Sequence, residues 1–478
     1  MALTSEQEAK VLQIIEAFEN GKRVNELPEI GSVNPLDLIV EVLDTDGETK
    51  QAKLAGLLPY LEQQCAYGIE WNTSVSSAAC TRIGNTDLHK SLPIQSRLRG
   101  CLLDDNGNVV EYLNPTNWNA HTLDGSRGQV MVEIPQHYRK FETVGTIRRC
   151  KISEYPLPGY HSVPKMYISA YEATLQRSTT KLCSVKNTDA DYRGGNNNSA
   201  WDGTYRSLLG RPATVISRTN FRAYARKRKT STTEWNCQDY NAYKAVFWLY
   251  YVEYANRNCQ LAFNAAKDAN GFAQGGLGNG ITNMVSWDAY NSYYPFVPCG
   301  HTDELGNNSG EVAYEVLQED GSVLVTVYAN RYRGIENPFG HIWKWTDGIN
   351  IKISPTAENG GDGTSKVFVA DNPANYKDTG YDGYAVQGLE ARSDGYVKSL
   401  VFGEQGDIMP AAVGAGSTTY WSDYHYTNIP TAEALRGVLF GGGANCGAIA
   451  GFGYADSIYA PSDTLADIGS RLCFIPAK

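Results

Sequence analysis

The 478-residue chain has no stretch approaching 18 uninterrupted apolar residues, so no segment reads as a membrane-spanning helix. Charge is sparse at 20%, and its balance is acidic at −10, which disfavours non-specific binding to nucleic acid. Histidine is scarce at seven, with no H-x-x-x-H or H-E-x-x-H spacing, so a metal site of the zinc type finds no support. Walker A, Rossmann and G-x-S-x-G fingerprints are all missing. The ten cysteines (Cys65, Cys80, Cys101, Cys150, Cys183, Cys237, Cys259, Cys299, Cys446 and Cys473) contain no C-x-x-C pair and are too dispersed for a disulfide scaffold. Reduced, mostly buried thiols are expected. The opening Met-Ala-Leu-Thr-Ser-Glu-Gln-Glu lacks the basic region, apolar stretch and cleavage site of an export signal. Synthesis in a cytosol is expected. If the protein works outside a cell, release within a particle would take it there.

What is plentiful is tyrosine, 31 against 13 Phe and 9 Trp, together with 47 glycines. That pairing suits large amphipathic contact surfaces on adaptable loops. The length suits two to four domains, or one large domain with an appendage. Residues 4–19 read as a helix capped by Thr4 or Ser5, with Val11, Leu12, Ile14, Ile15 and Phe18 in one stripe. The stripe fits a coiled-coil seam or a helix docked on its own domain. Around Leu27-Pro28, a strand at 37–42, an Asp46-Gly47 turn and a helix to Gln64 form a module too small to bury much core alone. Residues 66–160 read as β-rich, and Gln129–Ile134 alternates like a half-buried strand. Residues 240–255 predict a helix that is apolar nearly all round and therefore buried. A strand is expected at 322–329. The last third shows little periodicity and reads as functional loops.

Three motifs admit two readings each. The run 218–229, with six basic residues and two aromatics, fits nucleic-acid contact or, preferably here, a solvated patch. The glycines 276, 278 and 280 lack a strand-helix phosphate context and read as a flexible loop. Trp343-Lys344-Trp345 fits a ligand platform or, preferably, core packing.

Four segments, taken in order, resemble the C-type-lectin-like fold in its formylglycine-generating-enzyme/sulfatase-modifying branch. Tyr167-Ile168-Ser169-Ala170-Tyr171-Glu172-Ala173-Thr174 resembles its opening segment, and residues 234–256 its central helix. Phe339-Gly340-His341-Ile342-Trp343-Lys344-Trp345 resembles its Gly-Asn-Val-Trp-Glu-Trp motif, with His341 and Lys344 as departures. Ile468-Gly469-Ser470-Arg471-Leu472-Cys473 resembles its closing strand. The tail resembles most the variable proteins of diversity-generating retroelements of Bacteroides-type phages and prophages. The matching stretches are Tyr420 to Tyr426, Gly441-Gly442-Gly443, Gly447 to Gly451 and the closing segment. In that family, corrupted adenines scatter Asn codons into Tyr, Ser, Asp, His and others. The segment from Leu27 to Leu58 resembles, more loosely, the modules that attach fibre proteins to virions.

The resemblance implies an α+β fold. An attachment module would occupy 1–65, a β-rich intermediate region 66–160, and a C-type-lectin-like ligand-binding domain 161–478, with its variable region at about 418–473. It implies a phage or prophage receptor-binding protein on a tail or head fibre, homotrimeric, binding a bacterial surface protein or glycan without chemistry. Multivalent display would supply avidity. The ligand face is expected at Tyr420, Trp421, Asp423, Tyr424, His425, Tyr426 and Asn428, with Asn445, Cys446, Ile449, Phe452, Tyr454, Asp456, Ile458 and Tyr459; core packing is the competing role for Ile449 and Phe452. No cofactor is expected, although a structural Ca²⁺ held by loop oxygens is compatible with the composition. The alternatives are a bacterial host ligand-binding protein and a copper oxidase of the formylglycine-generating type. The family's cysteine pair, five residues apart, is broken here, because Gly451 stands five residues after Cys446. A calcium-dependent lectin lacks its sugar motif, since Glu336-Asn337-Pro338 has the wrong order.

Overall fold

The computed structural model describes residues 39–43, 49–203 and 205–477, with side chains from residue 59 onward. The helix expected at 4–19, the Leu27-Pro28 segment and the Asp46-Gly47 turn lie outside the described residues. The Ile39–Leu43 and Thr49–Lys53 strands pair antiparallel, and the Leu54–Cys65 helix follows them. The fold is rich in strands and poor in helices. No helix among the described residues is long and apolar enough to cross a membrane.

Three sheets carry most of the chain. One has five strands, in the order His161–Val163, His137–Val144, Ile147–Ser153, Ala66–Asn72 and Thr81–Gly84. A second runs Trp235–Cys237, Leu472–Phe474, Met166–Ser169, Gln129–Ile134, Arg99–Leu103 and Val109–Tyr112. Met166 pairs with Ile134 and Ser169 with Met131, so residues before and after 160 share one sheet. The division expected at 160/161 is therefore not a structural edge. Gln129–Ile134 is buried on both faces rather than one. Its alternating Glu133 is held inside by Arg99, Lys165, Tyr112 and Tyr167.

The third sheet runs Ala385–Leu389, Ser365–Val369, Trp343–Ile353, Ala434–Gly441, Gly451–Asp456, Tyr424–Tyr426, Gly395–Phe402 and Asp407–Val413. It curls until its ends approach, with Ala391 N donating to Pro410 O at 2.9 Å. The last third is thus built of short strands where loops were expected. Their glycines and doubly buried faces erase the alternation that marks a strand.

The Tyr240–Tyr254 helix forms the centre, as its composition predicts. Asp239 caps it by accepting from Ala242 N, and Ala255 ends it in the left-handed region at φ 50°. Every residue of it except Asn241 is buried. Trp248 lies among Trp71, Phe141, Phe402 and Trp421, with ring centroids 5.1 to 6.0 Å away. Each such ring contributes about 1.5–3 kcal/mol by burial.

The four segments singled out in the sequence meet. Glu172 lies between His341 and Lys344, with Lys344 Nζ 2.9 Å from Glu172 Oε1. All three are buried. His341 Nε2 accepts from Phe296 N and Val297 N at 3.2 Å, so Nδ1 carries the proton donated to Glu172. Lys344 also donates to Gly340 O and Ile342 O. Ile468–Gly469 pairs parallel to Trp343 and Lys344, and Arg471 donates to Ser169 O and Asn337 O.

The basic run, expected as a solvated patch, is turned largely inward, with Arg218, Arg222 and Arg228 buried. Ser217 caps the Arg218–Arg226 helix, whose period turns Arg218 and Arg222 inward. Arg222 bridges Asp347 and Asp378, and Arg218 binds Asp378 and Ile349 O. Arg228 pairs with Asp105 and Lys229 with Glu234. The run is a clamp between layers. The 276–280 loop is packed rather than flexible: Leu277 and its flanking glycines are buried, and a Cβ on Gly276 would lie 2.6 Å from Cys259 O. Trp345 and most of Trp343 are core.

Candidate functional site

Strand geometry builds the site. Tyr424–Tyr426 pairs parallel with Gly451–Asp456, placing Tyr426 beside Asp456 and His425 beside Ala455. It pairs antiparallel with Gly395–Phe402, placing Tyr396 beside Tyr424. Alternation along each strand puts Tyr424, Tyr426, Tyr454 and Asp456 on one face and His425 on the other. The rings interlock edge to face. Tyr424 lies 5.0 Å from Tyr426 and 6.2 Å from Tyr454, and Tyr396 lies 5.1 Å from Tyr424. Trp343 supports Tyr454 from 4.5 Å.

Of the residues expected at the ligand face, Asn428 and Asn445 are exposed, and Tyr420, Tyr424, Tyr426, Cys446, Ile449, Ile458 and Tyr459 are half-buried. Tyr420 stands apart with the 74–79 segment, where its N–H donates to Ser76 O at 2.7 Å. Six others are buried and support the face instead of presenting it. Trp421 packs on Trp71 and Phe247, and Phe452 on Tyr250 and Phe339. His425 sets its ring nitrogens 3.2 Å from Ala455 O and Ala391 O. Tyr454 is the floor of the ring cluster. Asp456 accepts from Ile458 N. Asp423 is enclosed by Gly453 N at 2.7 Å, Tyr251 and Cys259. Reading the whole run as surface overlooked the period of two.

Sequence reasoning missed two contributors. Tyr396 follows a Ser-Asp-Gly turn and opens a strand, a signal that was available. Gln260 holds the 447–450 turn by donating to Gly447 O and Ala450 O at 3.0 and 2.9 Å, a contact no local pattern announces. Cys446 opens that turn and accepts from Gly443 N at 3.1 Å. Burial pushes its thiol up to about 11. All ten cysteines are free thiols. Among the described residues no group of three or more His, Cys, Asp or Glu is placed to hold a metal ion.

Carboxyl groups gather behind and beside the rings. Burial raises Asp423 and Glu390 to about 8, Asp456 to about 7 and Asp467 to about 6. Unfolded carboxyls titrate near 4. Between those values the folded chain holds protons that the unfolded chain has lost, so stability falls as pH rises. His89 and His137, lowered to about 4 by burial, act oppositely, but only below about pH 6.5. The thermal midpoint is expected to fall between about pH 6.5 and 8.5, and Asp423→Asn to flatten part of that fall. A midpoint that rises across this window would contradict the buried, protonated carboxyls.

The chain matches no family model and no curated protein. Among solved structures it is similar to PvdO from Pseudomonas aeruginosa, at 14% identity over 76% of this chain and 99% of that one, with a TM-score of 0.32. It is also similar to a P3c variant of the Major Tropism Determinant, at 12% identity over 92% of this chain and 96% of that one, with a TM-score of 0.22.

Proposed function

We propose that the chain is a receptor-binding protein of a phage or prophage, with a C-type-lectin-like domain that presents the tyrosine face to a bacterial surface. One observation carries the reading. Tyr396, Tyr424 and Tyr426 are half-exposed rings fixed on strands, with Trp343 and Tyr454 packed beneath them. A rigid aromatic patch gives contact area at little entropy cost, which is what binding needs and catalysis does not. Asn428, Asn445 and Ile449 supply adaptable neighbours. The buried half of the tail keeps the scaffold fixed while exposed positions change. Assembly as a trimer through the first 65 residues belongs to the same proposal.

The test is binding of the full chain to a panel of bacterial strains, beside Tyr424→Ala/Tyr426→Ala. His425 stays, because its ring is core. Strain-selective binding that drops at least about tenfold in the folded variant is the expected result; that is about 1.4 kcal/mol, modest for two hot-spot rings. Equal binding by both proteins would move the site off this face. The copper-oxidase alternative draws no support from the cysteines: Cys473 is fully buried between the Met166–Ser169 and Trp235–Cys237 strands.

A further inference from the structure

We infer that a second subsite, built outside the tail by residues 193–206 and 285–294, takes a carboxylate-bearing sugar unit of a surface polysaccharide. The inference rests on the receptor-binding reading and names the class of receptor. The subsite adjoins the tail. Met284 N donates to Ala444 O at 2.8 Å, and Gly447 N to Thr282 O at 3.0 Å. A Cβ on Gly443 would lie 3.2 Å from Trp287 and 3.6 Å from Trp343. Trp343 backs the tyrosine face, and Trp287 lies 5.7 Å from Tyr293. One turn of the tail thus stands between two aromatic patches, which suits a chain-like ligand.

Arg206 is the centre of the second patch. Its guanidinium lies 5.3 Å from the Trp201 ring and 4.8 Å from the Tyr205 ring. Nη1 donates to Tyr290 O at 3.1 Å, and Nε is enclosed. Nη2 has no hydrogen-bond partner, and the side chain no ion-pair partner, among the described residues. Two rings and a carbonyl hold the planar fork still and leave one end unspent, which is what recognition of a carboxylate needs. The other charges of the two segments do not supply one. Arg193 holds Asp202 through both Nε and Nη2. Asp288 is two residues from Tyr290 on the Trp287–Asn291 helix, so the helical period turns it to the opposite side. Arg211, which donates to Phe296 O and Leu209 O, acts together with Arg206 on the Tyr290 hydroxyl. A second observation points to a ligand. Tyr293 is exposed, yet its backbone is held at φ 65°. That conformation is costly for a bulky residue, and such strain collects at ligand-holding positions. Beside it, Asn196 donates to Tyr294 OH at 2.7 Å, and Trp201 packs edge-on against Tyr294 at 5.1 Å. Residues 196–200 are exposed and amide-rich. Ring faces with amides at their edges suit a sugar, which is apolar across its face and hydroxylated around its rim. An acidic peptide brings carboxylates but no flat face to stack. A neutral sugar leaves Arg206 unspent.

The test uses the full chain and oligogalacturonate, compared with the same oligosaccharide methyl-esterified at its carboxyls and with oligoglutamate. Oligogalacturonate is expected to bind at least about tenfold tighter than either. Arg206→Gln should remove that advantage. Tyr293→Asn should weaken binding while the thermal midpoint holds or rises, because Asn tolerates a positive φ. A midpoint that falls in step with binding would make Tyr293 a packing residue and count against the subsite. Arg148→Gln, beside the Gly145 turn of a different sheet, should leave the advantage intact. Equal loss in Arg206→Gln and Arg148→Gln would mean attraction to bulk positive charge and would overturn the inference. So would preference for the ester or the peptide, or no binding of oligogalacturonate. Cell binding that needs Tyr424 and Tyr426 but ignores both Arg206→Gln and competing oligogalacturonate would overturn it while sparing the receptor-binding reading. Oligogalacturonate binding that needs Arg206, without binding to any strain, would support the subsite and count against the receptor-binding reading.

Discussion

Glu172→Ala is expected to destabilise the fold by about 3–5 kcal/mol, the cost of stranding buried charge. Glu172 is 2% exposed, and His341 and Lys344 are fully buried. Burial alone would raise its pKa, but Lys344 and His341 override that and hold it at about 2. Lys344, in turn, is lowered by burial to about 8 despite Glu172. Without the carboxylate, Lys344 keeps only the two carbonyls it already has, and the His341 Nδ1 proton loses its acceptor. The fold would shed the lysine proton to survive, so the penalty should be larger at pH 6 than at about pH 9. Glu172→Gln retains an acceptor for His341 and should cost less. Urea midpoints of the three proteins at both pH values check this. A Glu172→Ala midpoint within about 0.5 kcal/mol of the parent would show that the buried triad does not hold this junction.

Gly451→Ala is expected to cost about 3 kcal/mol, at the upper end for overpacking a core. A Cβ there would sit 1.8 Å from Asp423 Oδ1 and 2.9 Å from Cys259 Sγ. Asp423 has nowhere to go, because Gly453 N, Tyr251 and Cys259 fix it, and a Cβ on Gly453 would meet its Oδ2 at 2.7 Å. The two glycines exist for this carboxyl. Removing the carboxyl should therefore rescue the alanine: Gly451→Ala/Asp423→Ala should lose less than the sum of the single changes. Additive losses in that double-mutant cycle would rule out the steric coupling. Gly447→Ala is a useful contrast. Nothing lies within 4 Å of its added Cβ, so only its φ of +58° resists. An ordinary left-handed penalty of about 1 kcal/mol is expected.

Much of this was legible in the sequence, and the limits have physical causes. The Tyr240–Tyr254 helix announced itself by being apolar on nearly every side. Glu172, His341 and Lys344 each stood in a recognisable segment. Their mutual compensation was invisible, because the partners lie 169 residues apart and only packing unites them. The basic run misled because charge was read as solvation, whereas Arg222 is satisfied by acids 125 and 156 residues away. At the site, Tyr424 and Tyr426 lie on the outward face, while His425 between them does not. Composition marks such a stretch as binding-like, but strand alternation decides which side chains can touch a ligand.

The strand at Leu472–Phe474 is not an edge. It lies inside its sheet, paired with both Met166–Ser169 and Trp235–Cys237. Before it docks, Met166–Ser169 has Gln129–Ile134 as its one neighbour and Trp235–Cys237 has none. Until then both present unpaired backbone, the feature that invites aggregation and proteolysis. A message frameshifted or stopped anywhere in the tail yields a product that cannot close its own sheet. Folding thus requires the tail to be made through residue 474, whatever side chains its exposed positions carry.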